Sequence, residues 1–125
     1  MHVEDLVRAA IAALEDVKAR DIVVLDVRKM TSLFDIVIVA SAESGRQTRA
    51  LSHHVLERAK ELGASITGVE GEESGEWVLV DLGDVVVHIM QPAIRDYYNL
   101  EELWGGKRPV PRHLHAGAGY AGASV

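Results

Sequence analysis

The hydrophobic positions near the start of the chain recur every three or four residues. This spacing predicts a helix that buries one stripe of side chains, formed by Val3, Leu6, Val7, Ala10, Ile11, Leu14 and Val17. Two short, β-branched apolar runs follow at residues 21–27 and 34–40. Neither run alternates with polar residues, so both are predicted to be central strands covered on both faces. Because residues 28–33 are too few for a crossover helix, the two strands should be antiparallel neighbours.

A second helix is predicted between Ser44 and Gly63. Ser44 and Gln47 have the S-x-x-Q spacing of a capping box, which marks the start of a helix. Gly63 is a typical residue just after the end of a helix. The apolar stripe of this helix consists of Leu51, Val55, Ala59 and Leu62.

Three further strands are predicted in the second half of the chain. Residues 66–69 can form a short edge strand, and residues 77–82 and 85–90 are two stronger strands joined by a tight turn, as in a hairpin. Pro92 ends the last strand, because proline cannot donate a ladder hydrogen bond. A short helix or turn is predicted for residues 95–104.

The order of these elements, α-β-β-α-β-β-β-α, predicts a mixed α/β sandwich: a mixed sheet of about five strands covered by helices. A chain of 125 residues has room for one core, so residues 1–104 are predicted to form a single domain. Residues 105–125 are rich in Gly, Pro and Ala and contain Lys107, Arg108 and Arg112 but no acid. They are predicted to form a flexible basic tail.

Charge is unevenly distributed along this acidic chain, whose formal net charge is -6. Residues 70–84 contain six acids and no Lys or Arg, and form either a solvated face or a surface that attracts a basic partner. Phosphate backbones repel an acidic protein, so contact with nucleic acid should be peripheral at most, through the basic tail. No apolar run approaches the roughly 20 residues that cross a bilayer, and Cys is absent. We therefore expect a cytoplasmic protein without membrane contact.

The candidate chemical groups match no common catalytic or metal-binding motif. The chain lacks an Asp-x-Asp pair of the kind that holds two metal ions, and residues 41–45 lack the first glycine of a nucleophile elbow. The adjacent His53 and His54 diverge on a helix, and the sequence places no further ligand beside His113-x-His115. We therefore expect no enzymatic activity, no metal and no cofactor.

Aromatic residues are concentrated late in the chain, where five of the six lie after position 76. Because aromatic residues and arginine dominate binding hot spots, this concentration favours a recognition surface. Trp77 shares a strand face with Leu79 and Asp81 and is either a core residue or an interface anchor. His88 lies in a predicted strand and is either a hydrogen-bonded structural histidine or part of the recognition surface.

Several sequence blocks within residues 3–104 match, in order and in spacing, the pattern of one known protein family. They are Asp26-Val27, Thr31-Ser32-Leu33-Phe34-Asp35, Val39-Ala40-Ser41, Ser44-x-Arg46-Gln47, Glu70-Gly71, Gly75-x-Trp77-Val78-Leu79-x-Asp81, Gly83-Asp84-Val85-Val86-Val87-His88 and Arg95-x-Tyr97-Tyr98-x-Leu100-Glu101-x-Leu103-Trp104. These blocks resemble the Iojap family, which is also called the ribosomal silencing factor family. In this chain Met90 stands where many relatives have an aromatic residue, and the tail lies outside the shared blocks.

The resemblance implies a fold similar to that of nucleotidyltransferases without their catalytic acids. It also implies binding to protein fourteen of the large ribosomal subunit, on the face that meets the small subunit. Occupying that face would block subunit joining and lower translation when nutrients are short. Family members are also seen as dimers, so a homodimer that competes with ribosome binding is a further expectation. The residues expected at the partner interface are Trp77, Asp81, His88, Arg95, Tyr98 and Glu101.

Two alternatives use the same fold. The first is a large-subunit assembly factor, which would bind the ribosome through the same surface at a different time. The second is an enzyme built on a nucleotidyltransferase-like sheet, and the missing Asp-x-Asp pair counts against it.

Overall fold

Four helices and five strands follow one another in residues 2–106, the part of the chain that the computed structural model describes. In chain order they are α1 (Val3–Asp16), β1 (Arg20–Asp26), β2 (Ile36–Ser41), α2 (Gly45–Glu61), β3 (Gly68–Glu70), β4 (Trp77–Asp81), β5 (Val85–Met90), α3 (Pro92–Tyr98) and α4 (Leu100–Leu103).

The strands form one mixed sheet in the order β1-β2-β5-β4-β3. β2 and β5 run parallel. A parallel pair needs a long connection that brings the chain back to the end of the sheet where the first strand began, and α2, β3 and β4 form this connection. All other neighbours are antiparallel. The predicted mixed sheet, the antiparallel β1–β2 pair, the β4–β5 hairpin and the short edge strand β3 are therefore confirmed.

The larger core lies between the sheet and the pair of helices α1 and α2. Alternate residues of each strand point to this side, since side chains of a strand alternate between the two faces. The buried residues of this core include Leu6, Ala10 and Leu14 from α1, Leu51, Val55 and Ala59 from α2, and Ile38, Val78, Val80, Val87 and Ile89 from the sheet.

A smaller core lies on the opposite face of the sheet. Its fully buried residues are Val27, Val37, Val39 and Met90. The residues that pack against it are Leu25, Phe34, Trp77, Ile94, Leu100 and Trp104. The short helices α3 and α4 thus cover β2 and the end of β5, while the outward side chains of β4 remain only half-buried.

The prediction that residues 21–27 form a strand covered on both faces is wrong. β1 is an edge strand, and Val24 is 42% exposed. β2 is the covered strand, with all six residues buried. The two runs have similar β-branched composition, and they differ in burial because the parallel partner β5 pairs with β2 and leaves β1 at the edge.

The predicted glycine after the end of α2 is confirmed, and of the predicted capping box at its start only the Ser44 hydrogen bond is confirmed. The Ser44 hydroxyl accepts a hydrogen bond from the Gln47 N–H at 3.1 Å, as a capping box requires. The side-chain oxygen of Gln47, however, accepts from the N–H of Glu43 at 2.7 Å rather than from that of Ser44, and its side-chain amide donates to the Val17 carbonyl at 3.0 Å. Gln47 therefore ties the start of α2 to the end of α1. At the other end Gly63 has φ +83, as expected after a helix.

The segment predicted as one short helix or turn at residues 95–104 is two helices with a break. α3 begins at Pro92, and Asn99 adopts the left-handed conformation with φ 47 between α3 and α4. Residues 107–125 lie outside the described part of the chain, so the domain boundary at residue 104 and the flexible basic tail remain predictions.

Candidate partner-binding surface

Four rings form a continuous surface where β4 and β5 meet the end of α3. The Tyr98 and Trp77 ring centroids are 4.9 Å apart, and Tyr97 meets Tyr98 edge-on at 5.0 Å. On the other side of Trp77, its ring lies 5.9 Å from that of His88. Tyr97 is 80% exposed and Tyr98 53% exposed, so the outer half of this row faces solvent. We call Trp77, His88, Tyr97 and Tyr98 the aromatic surface.

Trp77 is fixed in orientation by a hydrogen bond to His88. The indole N–H of Trp77 donates to Nδ1 of His88 at 3.0 Å. Burial lowers the pKa of His88 from 6.5 to about 4, because the charged imidazolium loses hydration. The ring is therefore neutral at pH 7, and since Nδ1 accepts, its proton is on Nε2. His88 is thus a hydrogen-bonded structural histidine that also contributes to the aromatic surface.

The sheet beside the aromatic surface is apolar at Leu79 and acidic at its margin. Leu79 is half-buried and lies opposite His88 on β5 and opposite Glu70 on β3. The Asp81 carboxylate accepts a hydrogen bond from the Gly83 N–H at 2.9 Å, where Gly83 has φ +86. Asp81 therefore stabilises the β4–β5 turn, and its carboxylate is partly exposed at the end of β4.

Arg95 and Glu101 were expected at the interface, but both are buried, with 0% of either side chain exposed. They form an ion pair with each other at 2.6 Å, and Arg95 also donates to the Ser41 hydroxyl at 2.8 Å. Direct contact between these two side chains and a partner is excluded in this conformation. The expectation of direct interface contacts is corrected, because both side chains lie inside the fold, where they pair with each other and with Ser41.

The acidic stretch of the sequence is exposed around β3 and the β4–β5 turn. Its exposed members are Glu70, Glu73, Glu76 and Asp84. Glu72 is half-buried and lies 3.3 Å from His53. Within residues 2–106 no Lys or Arg side chain forms an ion pair with any of these five carboxylates. Glu70 lies beside the aromatic surface, because it is paired with Leu79 across β3 and β4, whereas Asp84 lies in the turn at the far end of the β4–β5 hairpin.

The described residues offer no arrangement for metal chemistry. No group of three or more His, Asp or Glu side chains in residues 2–106 is placed to hold a metal ion. His53 and His54 point to different carboxylates, those of Glu72 and Asp16, at 3.3 and 3.2 Å. No helix in the described part of the chain is long and apolar enough to cross a membrane.

Of the six residues expected at an interface, three meet in the aromatic surface: Trp77, His88 and Tyr98. Asp81 lies at the edge of β4, and Arg95 and Glu101 lie beneath the surface. Sequence reasoning left Tyr97 out of the six expected residues, although Tyr97 lies in the same aromatic-rich block as Tyr98. It also missed Leu79, although the alternation of β4 placed it on the same face as Trp77.

The comparisons with known proteins identify the family. The family model described as ribosomal silencing factor during starvation matches residues 1–119, which extends past the expected boundary at residue 104. The ribosomal silencing factor of Chromobacterium violaceum is 56% identical over 109 residues, which are 87% of this chain and 89% of that protein.

A solved structure and a more distant relative agree with this assignment. A crystal structure of a C. violaceum protein matches with a TM-score of 0.87 and 54% identity, and covers 90% of this chain and 93% of that one. A mouse protein named mitochondrial assembly of ribosomal large subunit protein 1 is 32% identical over 97 residues, 75% of this chain but 42% of the mouse protein. The chain belongs to the ribosomal silencing factor family, the family that its sequence blocks resemble.

Proposed function

We propose that this protein represses translation by binding protein fourteen of the large ribosomal subunit and sterically blocking the small subunit from joining. Membership of the ribosomal silencing factor family carries the proposal. The repression would operate when nutrients are limiting, as the name of the matching family model states for that family. Its site of action would be the cytoplasm, where translating ribosomes are found.

The aromatic surface has the properties of a binding site for a protein. Large aromatic side chains bury much apolar area and lose little conformational freedom on binding, which is why they dominate hot spots. Trp77 is already held by His88 and Tyr98 before any partner arrives, so little ordering cost remains. Half-buried Leu79 extends the apolar area along the sheet.

The surrounding acids fit a basic ribosomal partner. Glu70, Glu73, Glu76 and Asp84 are exposed and face no Lys or Arg within residues 2–106. Complementary charge accelerates the encounter of two proteins more than it increases their affinity. Binding should therefore be fast and sensitive to salt.

The proposed mechanism needs no chemical step. Steric exclusion requires only that the protein occupy the contact face with sufficient affinity. We accordingly propose a non-enzymatic regulator that acts without a cofactor, with nucleic-acid contact that is at most peripheral, through the basic tail of residues 105–125. Self-association through the aromatic surface would compete with the ribosome, because one surface cannot serve both contacts.

Sedimentation with purified ribosomal subunits tests the proposal. The protein should cosediment with the large subunit alone, and adding the small subunit should yield fewer joined ribosomes. The variant with Trp77→Ala and Tyr98→Ala should bind at least about 2 kcal/mol more weakly, a loss of roughly 30-fold. Leu62→Ala is the matched control, because Leu62 is similarly exposed at the end of α2, on the other side of the sheet.

Each outcome has a distinct meaning. If the wild-type protein does not sediment with the large subunit, the proposal is wrong. If it does, but the folded double variant binds equally well, the aromatic surface is not the contact site.

An assembly role is the second candidate, favoured by the name of the mouse relative. An assembly factor would bind the large subunit without reducing the yield of joined ribosomes. The same gradients therefore separate the two functions.

A further inference from the structure

The two short helices beneath the aromatic surface each bury one side chain fully, and both side chains are charged. In α3 that residue is Arg95, and in α4 it is Glu101. These helices have seven and four residues, too few to be stable in isolation. Their position therefore depends on what attaches them to the sheet.

Three polar side chains provide the most directional attachment. Nε and Nη2 of Arg95 donate to the same oxygen, Oε2 of Glu101, at 2.8 and 2.6 Å. Nη1 of Arg95 donates to the hydroxyl of Ser41, the last residue of β2, at 2.8 Å. We call Ser41, Arg95 and Glu101 the latch. It connects β2 to α3 and α3 to α4.

The latch spans the residue that interrupts the helix between α3 and α4. Asn99, with φ 47, separates α3 from α4, and Tyr98 immediately precedes it. Fixing Arg95 to Ser41 holds α3 against the sheet, and fixing Glu101 to Arg95 sets the angle of the break. The latch is therefore placed where it can fix the position of the Tyr98 ring relative to Trp77, 4.9 Å away.

An ion pair at this place supplies orientation rather than stability. Well-packed apolar residues in place of a buried ion pair often leave a protein equally stable or more stable. This pair is also incompletely satisfied, because Oε1 of Glu101 is buried without a hydrogen-bond partner among residues 2–106. Charged groups form hydrogen bonds of fixed direction, whereas apolar groups do not constrain the direction of a contact.

We propose that the latch is a positioning device for partner binding: Ser41, Arg95 and Glu101 hold Tyr98 against Trp77 without touching the partner. This inference rests on the proposed function for its binding readout. It gives Arg95 and Glu101 an indirect role at the site where direct contacts were expected.

The test replaces the charged pair by an apolar pair. The variant with Arg95→Met and Glu101→Leu should fold with about the stability of the wild type but bind purified large subunits at least tenfold more weakly. Ser41→Ala keeps the ion pair and loses one anchor, so its binding should fall severalfold. Val55→Ala is the control: it weakens the core under α2, and its folded form should bind like the wild type.

A second readout uses the free protein. Nuclear Overhauser contacts between the Trp77 indole and the Tyr98 ring should be present in the wild type and in Val55→Ala, and lost or weakened in both latch variants. If the wild type does not bind large subunits, the proposed function is wrong. The Trp77–Tyr98 ring contacts of the free protein still test the latch in that case. Unchanged ring contacts and unchanged binding in the apolar double variant would overturn the latch; if that variant does not fold, Ser41→Ala decides by the same criteria.

Discussion

At the residue scale, the polar atom of Trp77 explains how a large, half-buried ring is held in one orientation. An indole N–H must find an acceptor when it leaves water, and here the acceptor is Nδ1 of His88. A protonated imidazole has no free lone pair, so only neutral His88 can accept. Burial keeps His88 neutral by lowering its pKa to about 4.

Stability should therefore depend on the charge of His88. The unfolded chain has a His88 pKa near 6.5 and the folded protein about 4, so between these values the unfolded state binds more protons. Stability is then fully present above pH 6.5 and is lost as the pH falls towards 4. From pH 7 to pH 5 we expect the free energy of unfolding to fall by about 2 kcal/mol through this group alone.

Urea denaturation of the wild type and of His88→Gln at pH 7 and pH 5 measures this contribution. Glutamine can still accept from Trp77 but does not titrate, and the other histidines are present in both proteins and cancel in the comparison. An equal loss of stability in the two proteins would show that His88 is not the group responsible.

At the scale of elements, the loop that leads into β4 is built around a close approach to Trp77. Gly71 has φ +89, and a Cβ atom on it would collide with the carbonyl oxygen of Trp77. Gly63 has a similar φ of +83, but a Cβ atom there would meet nothing within 4 Å. The two glycines thus share a backbone conformation and differ only in their surroundings.

Replacing each glycine by alanine separates these two effects. Gly63→Ala should cost about 1 kcal/mol, the cost of a left-handed residue with a side chain. Gly71→Ala should cost roughly 1–3 kcal/mol more, because the backbone at Trp77 must shift to admit the methyl group. Thermal or urea unfolding of both variants gives the difference, and equal costs would refute the predicted collision.

The elements also show what sequence alone could and could not predict. Periodicity found α1, α2 and the hairpin, since each is defined by its own residues. The edge position of β1 escaped prediction because it depends on the parallel pairing of β2 with β5, which are more than forty residues apart. The burial of Arg95 and Glu101 escaped it too, because they are six positions apart in two different helices, and the left-handed Asn99 between the helices allows them to meet.

At the scale of the whole molecule, the two faces of the sheet have different roles. α1 and α2 cover one face and form most of the core, while the other face has a smaller core and leaves the aromatic surface accessible. The family resemblance singled out Trp77, His88 and Tyr98 as interface residues, because the residues of a motif can be read directly from the sequence. Their contact distances, and the depth at which each lies, depend on packing that no motif records.

The distribution of charge across the molecule leads to a kinetic prediction. The chain has a formal net charge of -6, and two exposed acids without Lys or Arg ion pairs among the described residues precede β4. Glu70 is paired with Leu79 beside the aromatic surface, and Glu73 lies in the loop that leads into β4. Because complementary charge acts mainly on encounter, Glu70→Lys with Glu73→Lys should slow association with large subunits about tenfold at low salt. Dissociation should change much less.

A control with the same net charge separates local steering from overall charge. Glu15→Lys with Glu61→Lys alters two exposed acids of the α1–α2 layer, away from the aromatic surface. Association rates measured in a surface-binding assay over a range of salt should fall for the first pair far more than for the second. The gap should narrow as salt rises, because the Debye length contracts from about 10 Å at 0.1 M to about 3 Å at 1 M. If both pairs slow association equally, net charge rather than the acidic margin of the aromatic surface governs the encounter.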